Sequence, residues 1–196
     1  HDLEKIIERT EFCLFEHEHT IYMNSCDITN LFESQGFKVL SINPLDDSIT
    51  RANSLLVVAR KTDIKTNPAT ALHTGEEFTS LNSRIKKTIS KLDDWILSLP
   101  EESTLIGYGA GGRGVMTLAA LANYKRFSSL IDSNYKSNVF LAPKTGLPIC
   151  SKDDLPEFKN GYCLVFSFGY AKEITKDLLG AGFLEENILL LSDFYV

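Results

Sequence analysis

The sequence predicts an α/β protein: a Rossmann-like parallel-sheet domain, preceded by the terminal helix-and-strand portion of another α/β domain. Three observations predict it. From residue 103 onward, apolar runs of strand length (TLIGYG, FSSLIDSN, YCLVFSF, NILLLS) are interleaved with helical patterns such as VMTLAALANY and KEITKDLLGAG. Strands alternating with helices build a parallel sheet covered by helices. A glycine-rich turn, GYGAGGRG, joins the first of these strands to the first helix. The first 61 residues contain helices and strands but no complete nucleotide-binding βαβ unit, which is the look of a domain's end.

Taken in order, LEKIIER reads as a short helix and EFCLFEHE as a strand. SCDITNLFESQGF reads as a helix capped by Ser25 or Asp27, with Ile28, Leu31 and Phe32 on one face and Gly36 ending it. FKVLSI and SLLVVARK read as two strands joined by a polar loop. Residues 62–77 are polar and aperiodic, a linker. Phe78, Leu81, Ile85, Ile89, Leu92, Ile96 and Leu99 then recur at three- and four-residue steps, the stripe of a long amphipathic helix that Pro100 stops. The expected division is therefore 1–61, a linker and helix over 62–102, and the Rossmann-like domain over 103–196.

Composition narrows the function classes. Hydrophobic residues make up 43% and charged residues 23%, enough for a sizeable core. The net charge of −6 argues against nucleic acid as a partner, and no apolar run approaches membrane-spanning length. Cys13, Cys26, Cys150 and Cys163 form no C-x-x-C pair and no zinc spacing. They read as reduced, mostly buried thiols of a cytoplasmic protein, with no metal site.

Two places carry candidate chemistry. Gly107, Gly109 and Gly112 form G-x-G-x-x-G between a strand and a helix, and Asp132 falls 20 residues after Gly112, at the end of the second strand. In that context the glycines let backbone N–H groups approach a phosphate at a helix N-terminus. Arg113 stands in position to reach a phosphate oxygen, and Asp132 to accept from a sugar hydroxyl. The competing reading is a turn that serves only helix–strand packing. The second place is FEHEHT. Glu16, His17, Glu18 and His19 concentrate titratable groups, with His17 and His19 on one face of a strand. A histidine beside a carboxylate suits a general base. A solvated strand end, or a metal pair lacking a third ligand, are the alternatives.

In combination these segments resemble the C-terminal part of the S-adenosylmethionine-dependent sugar C-methyltransferases. That family carries Tyr-His-Glu-His, matched here by Glu16, His17, Glu18 and His19. It continues with a stretch like SLLVVA, a long linking helix, and a Gly-Tyr-Gly-Ala turn, matched by Gly107, Tyr108, Gly109 and Ala110, then Arg113 and Gly114. Asp132 and Asn134, then Pro143, Thr145, Pro148 and Ile149, match the next segment. Phe168, Tyr170, Ala171, Glu173 and Ile174 match a later one. The resemblance implies that His19 removes the proton alpha to a sugar ketone, that Glu18 orients it, and that the resulting carbanion attacks the methyl sulfonium. It also implies a nucleotide sugar with its diphosphate near Gly109–Arg113. Glu16 stands where the family has tyrosine, Gly169 where it has asparagine, and Ser137 and Val139 where it has lysine and glycine. These departures imply another ketosugar or another carbonyl compound.

No stretch before residue 61 supplies the glycine-rich loop for S-adenosylmethionine, nor the family's zinc-binding cysteines. The expectation is that the chain is inactive without an N-terminal methyltransferase domain that binds this cofactor. Two other readings stand beside it. IGYGAGGRG with LIDSN also looks like the N-terminal domains of bacterial sugar acyltransferases, hence a stand-alone sugar-nucleotide-binding module. A small NAD-binding oxidoreductase is the third.

Overall fold

A computed structural model describes residues 2–15, 21–45, 54–66, 75–135 and 140–196. These residues fall into two compact units, His1–Ser83 and Arg84–Val196, and the division lies inside one continuous helix.

The first unit begins with α1 (Leu3–Arg9), whose first turn is capped by the Asp2 carboxylate accepting from the Glu4 N–H at 3.1 Å. The expected strand after it is not one where it is described. Phe12–Leu14 form a single 3₁₀ turn with all three side chains buried. Three consecutive inward-facing residues cannot satisfy the two-residue period of a half-buried strand. Helix α2 (Ser25–Ser34) is capped by Asn24, one residue before the expected cap. Asn24 accepts from the Asp27 N–H at 2.8 Å while the Asp27 carboxylate accepts from the Asn24 N–H at 3.1 Å. Gly36 leaves the helix with φ +82°, as expected of the residue that ends it.

β1 (Phe37–Pro44) and β2 (Leu55–Lys61) pair antiparallel, with a bulge at Leu40. The Phe32 ring of α2 meets Phe37 of β1 edge-on at 5.9 Å. Leu40, Leu56 and Val58 remain exposed on this two-stranded sheet.

Helix α3 (Gly75–Ser98) ends two residues before Pro100. Leu81, Leu92, Ile96 and Leu99 are buried as the periodicity requires, whereas Phe78 is exposed and Thr88 is the buried residue between Leu81 and Leu92.

The second unit is a six-stranded sheet in the order β5-β6-β4-β3-β7-β8. Its strands are β3 (Leu105–Tyr108), β4 (Phe127–Asp132), β5 (Phe140–Leu141), β6 (Pro148–Ser151), β7 (Tyr162–Val165) and β8 (Ile188–Leu190). All neighbours run parallel except the edge strand β5, which turns back on β6. Helix α4 (Gly112–Ala120) follows β3, and α5 (Ala171–Gly180) follows β7. Ile106, Tyr108, Ile131, Cys163 and Val165 pack with Ile174 and Leu178 of α5. The opposite face carries Gly107, Leu130 and Phe166, against which α4 lies through Gly114. Asp93 of α3 accepts from the Ala122 and Asn123 N–H groups at 3.1 and 2.9 Å, just past the end of α4. The Trp95 ring of α3 meets Phe194 at 5.4 Å.

The strand order places β3 centrally, with the chain departing to β4 on one side and returning to β7 on the other. That reversal opens a crevice beyond the carboxyl ends of β3 and β7, where open α/β sheets bind ligands. Two glycines make the approach of α4 possible. A Cβ on Gly107 would lie 2.5 Å from Phe166 Cε2 and 2.7 Å from Leu130 Cδ2, and one on Gly114 would overlap the Gly109 carbonyl. Gly180, near the end of α5, faces open space. Gly114→Ala is therefore expected to cost about 1–3 kcal/mol by overpacking. Gly180→Ala is expected to be neutral or to gain up to about 1 kcal/mol. Urea denaturation measures both, and a Gly114 variant as stable as the Gly180 variant would contradict the close packing.

Candidate functional site

The carboxyl end of β3 is built around three hydrogen bonds donated by backbone N–H groups. Gly109 turns the chain with φ +108°, a conformation that a side chain resists, and its N–H donates to the Ile131 carbonyl at 2.8 Å. The next N–H, of Ala110, donates to Asp132 Oδ2 at 2.9 Å, and the Asn134 N–H donates to Oδ1 of the same carboxylate at 2.9 Å. Asp132 thus joins the glycine turn to the loop after β4. Each oxygen keeps a free lone-pair direction for a further donor.

Gly111 then caps α4 without a side chain, and its carbonyl accepts the first helical bond, from Val115, at 3.0 Å. The N–H groups of Gly112, Arg113 and Gly114 lie in the first turn, where no intrahelical acceptor exists. They add to the positive end of the helix dipole. Arg113 stands among them. Its guanidinium carbon lies 4.4 Å from the centre of the Phe168 ring, and its Nε is buried with no partner among the described residues. Phe168 follows β7, so this contact bridges the crevice between the β3 and β7 ends. Tyr195 meets Phe168 edge-on at 5.6 Å.

The residues named from sequence are distributed unequally. Gly109, Ala110, Gly112, Arg113, Asp132 and Asn134 gather at this turn. Gly107 lies inside β3 and serves close packing. Gly114 is the glycine that lets α4 approach, whereas Gly112 is the first helical residue. Tyr108 points into the core beneath α5. Burial pushes its phenol up to about 12, with the Asp177 and Asp132 carboxylates adding to the effect. Burial likewise raises the Cys150 and Cys163 thiols. Glu16, His17, Glu18 and His19 lie outside the described residues, as do Ser137 and Val139. Phe168 was legible only as part of a resemblance. Its partnership with Arg113 follows from the strand order, which faces the loops after β3 and β7 toward each other.

Residues 58–183, nearly two thirds of the chain, match the model of the C-methyltransferase C-terminal domain. The chain belongs to this family. It is also similar to C-methyltransferase NovU of Streptomyces niveus, with 24% identity over 188 residues covering 88% of this chain and 44% of the relative. The chain thus spans less than half the length of the curated relative it matches. Methyltransferases generally use S-adenosylmethionine. S-adenosylmethionine carries no phosphate, the group that the N–H donors at the first turn of a helix suit. No described helix is long and apolar enough to cross a membrane.

The buried phenol has a pH consequence. An acid whose folded pKa is raised stabilises the fold while protonated. Tyr108's contribution is therefore complete below its ordinary value of 10 and is lost as pH rises from 10 toward about 12. Urea midpoints measured across that window should fall further for the wild type than for Tyr108→Phe. The raised thiols act in the same direction in both proteins and cancel in the comparison. Parallel curves would place the phenol in solvent.

Proposed function

We propose that this chain is the substrate-holding C-terminal part of a C-methyltransferase that acts on a nucleoside-diphosphate ketosugar or a similar carbonyl compound in the cytoplasm. The observation that carries the reading is the open first turn of α4 with Arg113 beside it at the crevice. A diphosphate there accepts from the N–H groups of residues 112–114 and from the guanidinium, while Asp132 faces a sugar hydroxyl. Asn134, beside Asp132, and Ala110 complete the wall of the site. Residues 1–61 would complete a methyltransferase α/β domain, with 62–102 linking it to a Rossmann-like domain over 103–196. The aliphatic side chains left exposed on the β1–β2 hairpin support this, since a two-stranded sheet is marginal alone and gains by joining a larger one. S-adenosylmethionine, which supplies the methyl group, is held elsewhere in the full protein.

In this reading His19 is the general base that takes the proton alpha to the ketone, with His17, Glu18 and Glu16 orienting it. Such a base contributes about 10²–10⁴-fold to the rate. His19→Gln in the full-length enzyme should slow exchange of the substrate's alpha proton with deuterium oxide by that order while leaving nucleotide affinity unchanged. Exchange at the wild-type rate would remove His19 from the chemistry.

Calorimetric titration with uridine diphosphate, a uridine diphosphate sugar and NAD tests the site itself. The nucleotide sugar is expected to bind more tightly than NAD, and Arg113→Ala to weaken it by about 1.5–3 kcal/mol. Preference for NAD would replace the proposal with an oxidoreductase-type module, and unchanged affinity in the Arg113 variant would remove the phosphate assignment.

A further inference from the structure

We infer that Phe168 is a positioning residue for anion binding: its ring face holds the Arg113 guanidinium over the first turn of α4, and Tyr195 holds the ring. The inference rests on the proposed diphosphate site at that turn.

An arginine side chain is long and has many rotamers, so an unrestrained guanidinium loses considerable freedom when it grips a phosphate. Here the guanidinium is stacked on an aromatic face at 4.4 Å, within the range of a cation–π contact. Its Nε is already out of water and meets no acceptor among the described residues. A buried charged donor without an acceptor is an uncomfortable arrangement that an anion would relieve. An arginine over a ring stacks best by its flat face. Its N–H donors lie in the plane and stay available for phosphate oxygens.

Phe168 is itself braced. Tyr195 approaches it edge-on, at 5.6 Å and 75°. Tyr195 directly follows the short turn Leu191–Phe194, and Phe194 packs on Trp95 of α3 at 5.4 Å. Two ring contacts, linked by the Phe194–Tyr195 peptide bond, thus run from α3 through the turn after β8 to the crevice. Phe168 belongs to the loop after β7 and Arg113 to the helix after β3. The pair therefore fixes the width of the crevice as well as the direction of the arginine.

A double-mutant cycle on Arg113→Ala and Phe168→Leu, read as the Kd for uridine diphosphate, tests this. Leucine keeps apolar volume and removes the ring face. Phe168→Leu should weaken binding about three- to tenfold in the wild-type background and change nothing in the Arg113→Ala background. Phe168→Trp, which restores a ring face, should recover most of the affinity. Equal losses in both backgrounds would mean that Phe168 acts independently of Arg113, and would overturn the inference. An effect of Arg113→Ala with none from Phe168→Leu would overturn it as well. No effect from Arg113→Ala would instead remove the diphosphate site on which the inference rests. Should the leucine variant fold poorly, the wild type provides a second measure. The Arg113 Hε proton resonance should be shifted upfield by the ring current of Phe168, and a random-coil position would overturn the stacking.

Discussion

The contact on which the crevice depends is between two pieces of backbone, Gly114 of α4 and the Gly109 carbonyl that opens the turn after β3. Any side chain at residue 114 would push the helix outward. Because there is none, α4 starts immediately beside the strand end, and its first-turn N–H groups, which have no intrahelical acceptor, open where the sheet reverses direction. The same approach requires a bare Gly107 beneath Phe166 and Leu130. Asp132 then fixes the turn from the other side by accepting one N–H from Ala110 and one from Asn134.

These contacts arrange charge locally in a protein whose net charge is −6. The Asp132 carboxylate is occupied in part by backbone donors, while Arg113 Nε has no acceptor among the described residues. At a range of a few ångströms such oriented donors outweigh the distant surface charge, which salt screens. An acidic protein can therefore still present oriented donors to an anion at one helix end. The family to which the chain belongs gives that crevice a setting, and the proposed diphosphate gives it an occupant.

Much of the fold was legible because it rests on local periodicity. The stripe of α3, the glycine turn opening α4, the β1–β2 hairpin and the helix over residues 171–180 all follow from spacing and from glycine and proline positions. What escaped depends on tertiary neighbours. FCL has strand-like composition, yet all three side chains turn inward and the segment coils into a 3₁₀ turn. The motif GAGGRG contains four glycines and an arginine, and only the approach of helix to strand reveals that Gly114 carries the steric demand. Tyr108 adjoins Gly109 in sequence but alternates to the other face of the sheet, under α5. The stacking of Arg113 on Phe168 joins residues 55 positions apart, which no local pattern encodes.

The most direct test of the central claim is an amide proton–nitrogen spectrum of the protein followed through a titration with uridine diphosphate. The largest shifts are expected on the N–H groups of Gly111, Gly112, Arg113 and Gly114, with that of Arg113 Nε moving alongside. Saturable shifts confined to other residues, with these groups unmoved, would contradict it.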